Sequence, residues 1–161
     1  MAITATLANT LSTAETVSGL KVSTSSVTHT DSQSHTLSAS TTPPATKHVA
    51  KNVALVAGAA TIDLTALTAW GTNGVTEDCS GLKLQILRAK ATLTNANPVT
   101  ISTGASNGYA AFGADWSIAL SAGQEVTLYG NDATPDVAAG AKTIDLAGTL
   151  TQSIDIEMVF G

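Results

Sequence analysis

Apolar and polar residues alternate at period two through the second half of this chain, the pattern of strands with one face turned to a core. In the last run Ile154, Ile156, Met158 and Phe160 share one face, with Asp155 and Glu157 on the other. That run, ending at Phe160-Gly161, reads as a strand built into a sheet. Earlier, Trp116, Ile118 and Leu120 face one way and Asp115, Ser117 and Ala119 the other. Ser121-Ala122-Gly123-Gln124 is a tight connection, after which Val126 and Leu128 resume the buried face. Before it, Leu82, Leu84 and Ile86 share one face while Leu87, Ala89, Ala91 and Leu93 share the other, which predicts a bulge near Ile86-Leu87. Asn95-Ala96-Asn97-Pro98 is a turn in which Pro98 holds Asn97 extended. Residues 82–129 therefore read as two β-hairpins in series.

From Lys47 to Trp70 the chain is also apolar, and Gly58 divides it into two strands, with Ile62, Leu64 and Ala66 on one face of the second. Gly71-Thr72-Asn73-Gly74 is a surface loop, and GNDATPDVAAGAK after Tyr129 is another. The phrase TIDL occurs at 61–64 and 143–146, a strand pattern too common to establish a duplication. Residues 1–46 differ: they hold no aromatic residue, and Ile3, Ala5, Leu7, Leu20, Val22, Val27 and Leu37 are isolated apolar anchors in a Ser/Thr-rich background. Strands this weakly apolar lie on a sheet edge or are completed by another chain. The predicted organisation is an extended N-terminal arm with the first edge strands over 1–46, a boundary at Thr42-Pro43-Pro44 where prolines stop ladder pairing, and a β-sandwich over 47–161. The fold class is all-β, an antiparallel jelly roll or β-sandwich of eight to eleven strands.

Composition sharpens this. With 161 residues the chain forms one core. About a quarter of its residues are Ser or Thr and only 4% are aromatic, so that core is made mainly of small side chains and oligomer contacts are expected to add stability. A net charge of −5 without any Lys/Arg stripe excludes nucleic acid as a direct partner. The single cysteine, Cys79, excludes an internal disulfide framework and reads as a buried free thiol. The N-terminus has neither the basic nor the apolar segment of a secretory signal, and no run approaches the about 18 apolar residues of a membrane span. Synthesis in a cytoplasm and no membrane partner are expected.

Candidate chemistry is sparse. Gly104-Ala105-Ser106-Asn107-Gly108 matches the G-x-S-x-G pattern of serine hydrolases, but a nucleophile elbow needs a following helix and a later histidine, and all three histidines lie at or before His48. His29, Asp31 and His35 share strand parity but lie among turn-forming residues, as solvated polar side chains do. Asn131, Asp132 and Asp136 offer oxygens without the spacing of an EF-hand. No catalytic residue, cofactor or metal is expected. Trp116 belongs to a core row, whereas Trp70, Tyr109 and Phe112 are candidates for an interface, where aromatic anchors concentrate.

The stretches LKLQILRAKA, NPVTISTGASNGY, DWSIALSAGQEVTLYG and KTIDLAGTLTQSIDIEMVFG give residues 47–161 a pattern that resembles small jelly-roll structural proteins of tailed bacteriophages. The resemblance implies a non-enzymatic virion protein, a cement or decoration protein. It would be assembled as a trimer on the capsid surface and would bind the major capsid protein to link neighbouring capsomers. The alternative expectation is a receptor- or glycan-binding module of a tail or head fibre.

Overall fold

The computed structural model describes residues 3–17 and 25–161. Its strands are β1 (Thr4–Val17), β2 (Ser25–Ser38), β3 (Lys47–Ala54), β4 (Ala59–Asp63), β5 (Leu84–Ala91), β6 (Val99–Thr103), β7 (Ser117–Leu120), β8 (Glu125–Tyr129), β9 (Thr143–Ala147) and β10 (Ser153–Phe160). Among the described residues the only helical segment is a 3-10 turn, Thr72–Gly74, inside the loop its glycines predict. The chain is all-β. Leu20 and Val22, two of the anchors of the N-terminal part, lie outside the described residues.

Eight strands form two four-stranded antiparallel sheets in the orders β3-β10-β5-β8 and β4-β9-β6-β7, while β1 and β2 pair only with each other. The pairings are nested: β6 with β7, β5 with β8, β4 with β9, β3 with β10. One long antiparallel strip folded back on itself and wound into two layers makes this order, which is that of a jelly roll. Among these eight strands every connection except β6 to β7 therefore crosses between sheets. The two hairpins expected within residues 82–129 are not formed, because β5 and β6 lie in different sheets, as do β7 and β8. Alternation fixes which side chains face the core; it leaves open whether the next strand lies beside the first or across the sandwich from it.

The core between the sheets contains Leu84, Leu87, Ala89 and Ala91 of β5, Ile101 of β6, Ile144 and Leu146 of β9, and Ile154, Ile156, Met158 and Phe160 of β10. Leu84 and Leu87, three residues apart, both face inward because Phe160 pairs with Leu84 and Val159 with Ile86, leaving Gln85 as the extra residue. The expected bulge thus falls just before Ile86, at Gln85, whose amide exchanges two hydrogen bonds with Asp132. Ile86 is turned to the outer surface of its sheet. Ala66 leaves the row expected of it: the chain turns after Asp63, whose carboxylate accepts from the Thr65 N–H at 2.9 Å, and Leu67 enters the core instead. The two TIDL segments lie side by side, Ile62 opposite Ile144, with the Thr61 hydroxyl donating to Asp145 at 2.7 Å.

Cys79 is a buried free thiol, as its isolation in the sequence predicts. Burial pushes its pKa from 9.0 to about 12. Because the folded value lies above the unfolded one, this contribution to stability is complete below about pH 9 and is lost as pH rises from there toward 12. Native protein at neutral pH is expected to leave a thiol reagent unconsumed until denaturant is added. Stoichiometric labelling of folded protein within seconds would show the sulfur to be accessible.

Candidate functional site

The long hairpin of β1 and β2 is the part of the molecule that its own core does not explain. Fourteen residues per strand at ~3.3 Å each give a ribbon of about 45 Å. Its root is held on the outer surface of the β3-β10-β5-β8 sheet by Leu37, Ala45, Ile86 and Val159, with Ala5, Leu7 and Tyr129 packed around them. His35 stacks on Tyr129 with ring centroids 4.2 Å apart. The link from β2 to β3 is knitted tightly: the Thr41 hydroxyl bonds Ser38 and Pro43, the Ala45 N–H donates to Ser38 at 2.9 Å, and the Thr46 N–H donates to Phe160 at 2.7 Å. The root is rigid, so the direction of the ribbon is set.

Beyond the root the ribbon has no core. Residues 8–16 and 26–34 are exposed on both faces. Besides the backbone ladder, the cross-strand side-chain hydrogen bonds among the described residues are weak hydroxyl pairs such as Ser12 with Thr30 at 3.3 Å. Neither strand contains proline, lysine or arginine, the residues that usually blunt an open edge. A two-stranded ribbon is marginal in water by itself. Its open edges offer unpaired backbone N–H and C=O groups to another chain.

Between β1 and the sheet beneath it lies a trough of about 700 Å³ whose walls include Thr6, Leu7, His48, Arg88, Glu157 and Val159. On its floor Glu157 meets His48 at 2.9 Å and Arg88 at 3.6 Å, and Arg88 reaches Glu125 at 3.2 Å. All of these side chains are well exposed, so each pair is worth no more than about 1 kcal/mol. They keep the floor polar and solvated, with acidic and basic groups interspersed. The apolar patch under the root was not anticipated, although Val159 between Met158 and Phe160 breaks the alternation of the last strand and signals a residue covered from outside.

The aromatics expected at an interface are placed differently. Tyr109 is wholly buried, its hydroxyl donating to Pro135 at 2.6 Å and accepting the Leu84 N–H at 3.1 Å. Trp70 is buried in the core beside β3, its carbonyl accepting the Ala50 N–H at 3.0 Å. Phe112 is partly buried and packs edge-on against Trp116, with centroids 5.6 Å apart. The exposure expected of Tyr109 is corrected, since its ring is wholly buried, and Phe112 is half-buried; both rings help fill a core poor in large side chains. Trp116 is buried as its row predicts, and its indole N–H donates to the Tyr109 carbonyl at 3.0 Å.

Ser106 sits on an exposed turn whose glycines answer to packing. A Cβ on Gly104 would lie 2.1 Å from the Thr143 hydroxyl, and one on Gly108 would lie 2.2 Å from the Gly104 carbonyl oxygen. No helix follows it. His29 and Asp31 stand in the exposed part of β2, and His35 is at the root. Asp132 is engaged by Gln85 and by Lys83 at 3.6 Å.

No protein-family model and no curated protein matches the chain. Among solved structures a likeness is found to a chain described under the words "Bacillus endospore appendages form a novel family of disulfide-linked pili", with 17% identity and a TM-score of 0.39, over 71% of this chain and 82% of that one. A likeness so slight carries no argument about function.

Proposed function

We propose that this protein is a structural component of a virus particle, a cement or decoration protein that binds the outside of a tailed-phage head and ties capsomers of the major capsid protein together. The observation that carries the reading is the ribbon: a pair of long, unblunted strands that are anchored at the root and, among the described residues beyond it, exposed on both faces. Such an edge joins a neighbouring sheet through main-chain hydrogen bonds and asks little of side chains. Copies joined in an oligomer, a trimer in the reading proposed, engage several capsomers at once and gain avidity. Binding only the assembled shell makes that shell harder to disrupt. The other reading, a receptor- or glycan-binding module of a fibre, calls for an exposed aromatic platform, and the burial of Trp70, Tyr109 and Trp116 weighs against it.

The test keeps the root and removes the reach. Leu7 pairs with His35, so excising residues 8–34 and joining these two through an Asn-Gly turn preserves the patch over Ile86 and Val159. The shortened protein is expected to melt within a few degrees of the full chain while its affinity for bare heads, measured by co-sedimentation, falls on the order of a hundredfold. Heads decorated to full occupancy by the shortened protein would remove the ribbon from the mechanism.

A further inference from the structure

The strand registers place four connections at one end of the sandwich. Ala54 pairs with Ser153, Ile154 with Ala91, and Lys90 with Glu125, so the links β3–β4, β5–β6, β7–β8 and β9–β10 all turn together there. The three most exposed large hydrophobic side chains among the described residues are Leu93 at 78%, Val56 at 77% and Leu150 at 76%, and all three stand on these links. None of the four links (55–58, 92–98, 121–124, 148–152) contains a charged residue. The links at the opposite end carry Glu77, Asp78, Asp115, Asp132 and Asp136 against Lys83 and Lys142.

The uncharged end is also stiff. The Gly58 N–H donates to the Leu150 carbonyl at 2.9 Å, and the Gly148 N–H to Gly58 at 2.8 Å. The buried Asn95 side chain donates to the Ser153 carbonyl at 2.7 Å and accepts the Ser153 N–H at 3.0 Å. Gln152 bonds the Asn97 carbonyl, and Leu93 lies over Gly123. Apolar tips on cross-tied loops lose little freedom when covered. Interface cores are likewise depleted of charge.

We infer that this end is a self-association surface, occupied by the same end of a second copy of this chain. Charge decides the occupant. Two molecules of net charge −5 meet with least repulsion where neither carries charge, and this contact holds their acidic ends farthest apart. The remaining polar groups of the surface are hydroxyls and amides, each both donor and acceptor, so the surface satisfies its own copy without a counter-charge. The β2–β3 link enters the sandwich at the opposite end, so the contact leaves the ribbon's root uncovered. The inference stands independently of the shell-binding proposal.

The experiment is sedimentation velocity of the purified full chain without shells, on the wild type, on Val56→Asp/Leu93→Asp/Leu150→Asp, and on Leu11→Asp as a ribbon control. Circular dichroism melts confirm that each is folded. The wild type and Leu11→Asp are expected at a multiple of the 16.1 kDa chain mass, and the triple variant at a single chain mass. A folded triple variant that keeps the wild-type mass overturns the inference, as does a monomeric wild type at high micromolar concentration. Loss of head binding by the triple variant at unchanged mass also overturns it, assigning the end to the shell. Should the triple variant not fold, the single Leu93→Asp variant is read by the same criterion.

Discussion

Tyr109→Ala is expected to lower the thermal unfolding midpoint by on the order of 10 °C, from a loss of about 4 kcal/mol spread over a domain of this size. The ring is wholly buried where a core with few aromatics has nothing else large enough to fill the space. Its hydroxyl joins the start of β5 to the loop before β9, through the Leu84 N–H and the Pro135 carbonyl. Truncation leaves a cavity and strands both backbone groups. Tyr109→Phe keeps the volume and loses only the bridge, at about 1–2 kcal/mol. Calorimetric melts of the two variants separate these terms. An alanine variant that melts beside the wild type would mean that the ring is not packed as described.

The second large effect sets two residues of one short motif against each other. Gly104→Val is expected to cost about 3 kcal/mol or more, or to leave the protein insoluble, because even a Cβ would meet the Thr143 hydroxyl at 2.1 Å and its carbonyl oxygen at 2.8 Å. Thr143 cannot retreat: its carbonyl accepts from the N–H groups of Gly104 and Tyr109, and β9 is clamped between β4 and β6. Ser106→Ala, on an exposed turn, is expected within about 0.5 kcal/mol of the wild type. Urea titrations of both give the comparison directly. A serine nucleophile would reverse the order in a turnover assay, with esterase activity vanishing in Ser106→Ala.

Much of this architecture was legible in the sequence, for a physical reason. The rows Ile154-Ile156-Met158-Phe160 and Trp116-Leu120 were readable because a strand's period of two ties each residue's face to its number. What could not be read was partnership. The turn at Ser121–Gln124 is as tight as a hairpin turn, with the Gln124 N–H on the Ser121 carbonyl at 2.9 Å, yet it carries the chain to the other sheet. Tyr109 in a glycine-rich turn has no periodic neighbours, so nothing local told that it points inward. Residues 1–46 were expected as an extended arm with the first edge strands; that β1 and β2 pair with each other and not with the edge strands β3, β8, β4 or β7 is a choice of partner that no local pattern states. The uncharged end emerges only once the registers bring four separate links together.

The nesting of the strands has a kinetic meaning. Within the sandwich β6 and β7 are the nested pair nearest in sequence; each pair outside them closes a longer loop than the last, until His48 and Glu157, 109 residues apart, stand side by side. Entropy therefore imposes a winding order from the middle of the chain outward, and a topology so dominated by distant partners belongs with proteins that take about milliseconds to seconds to fold. Until the outermost turn of that winding is complete, β3 and β10 stay unpaired and sticky, and crowding of nascent copies in that interval is the hazard the molecule must outrun.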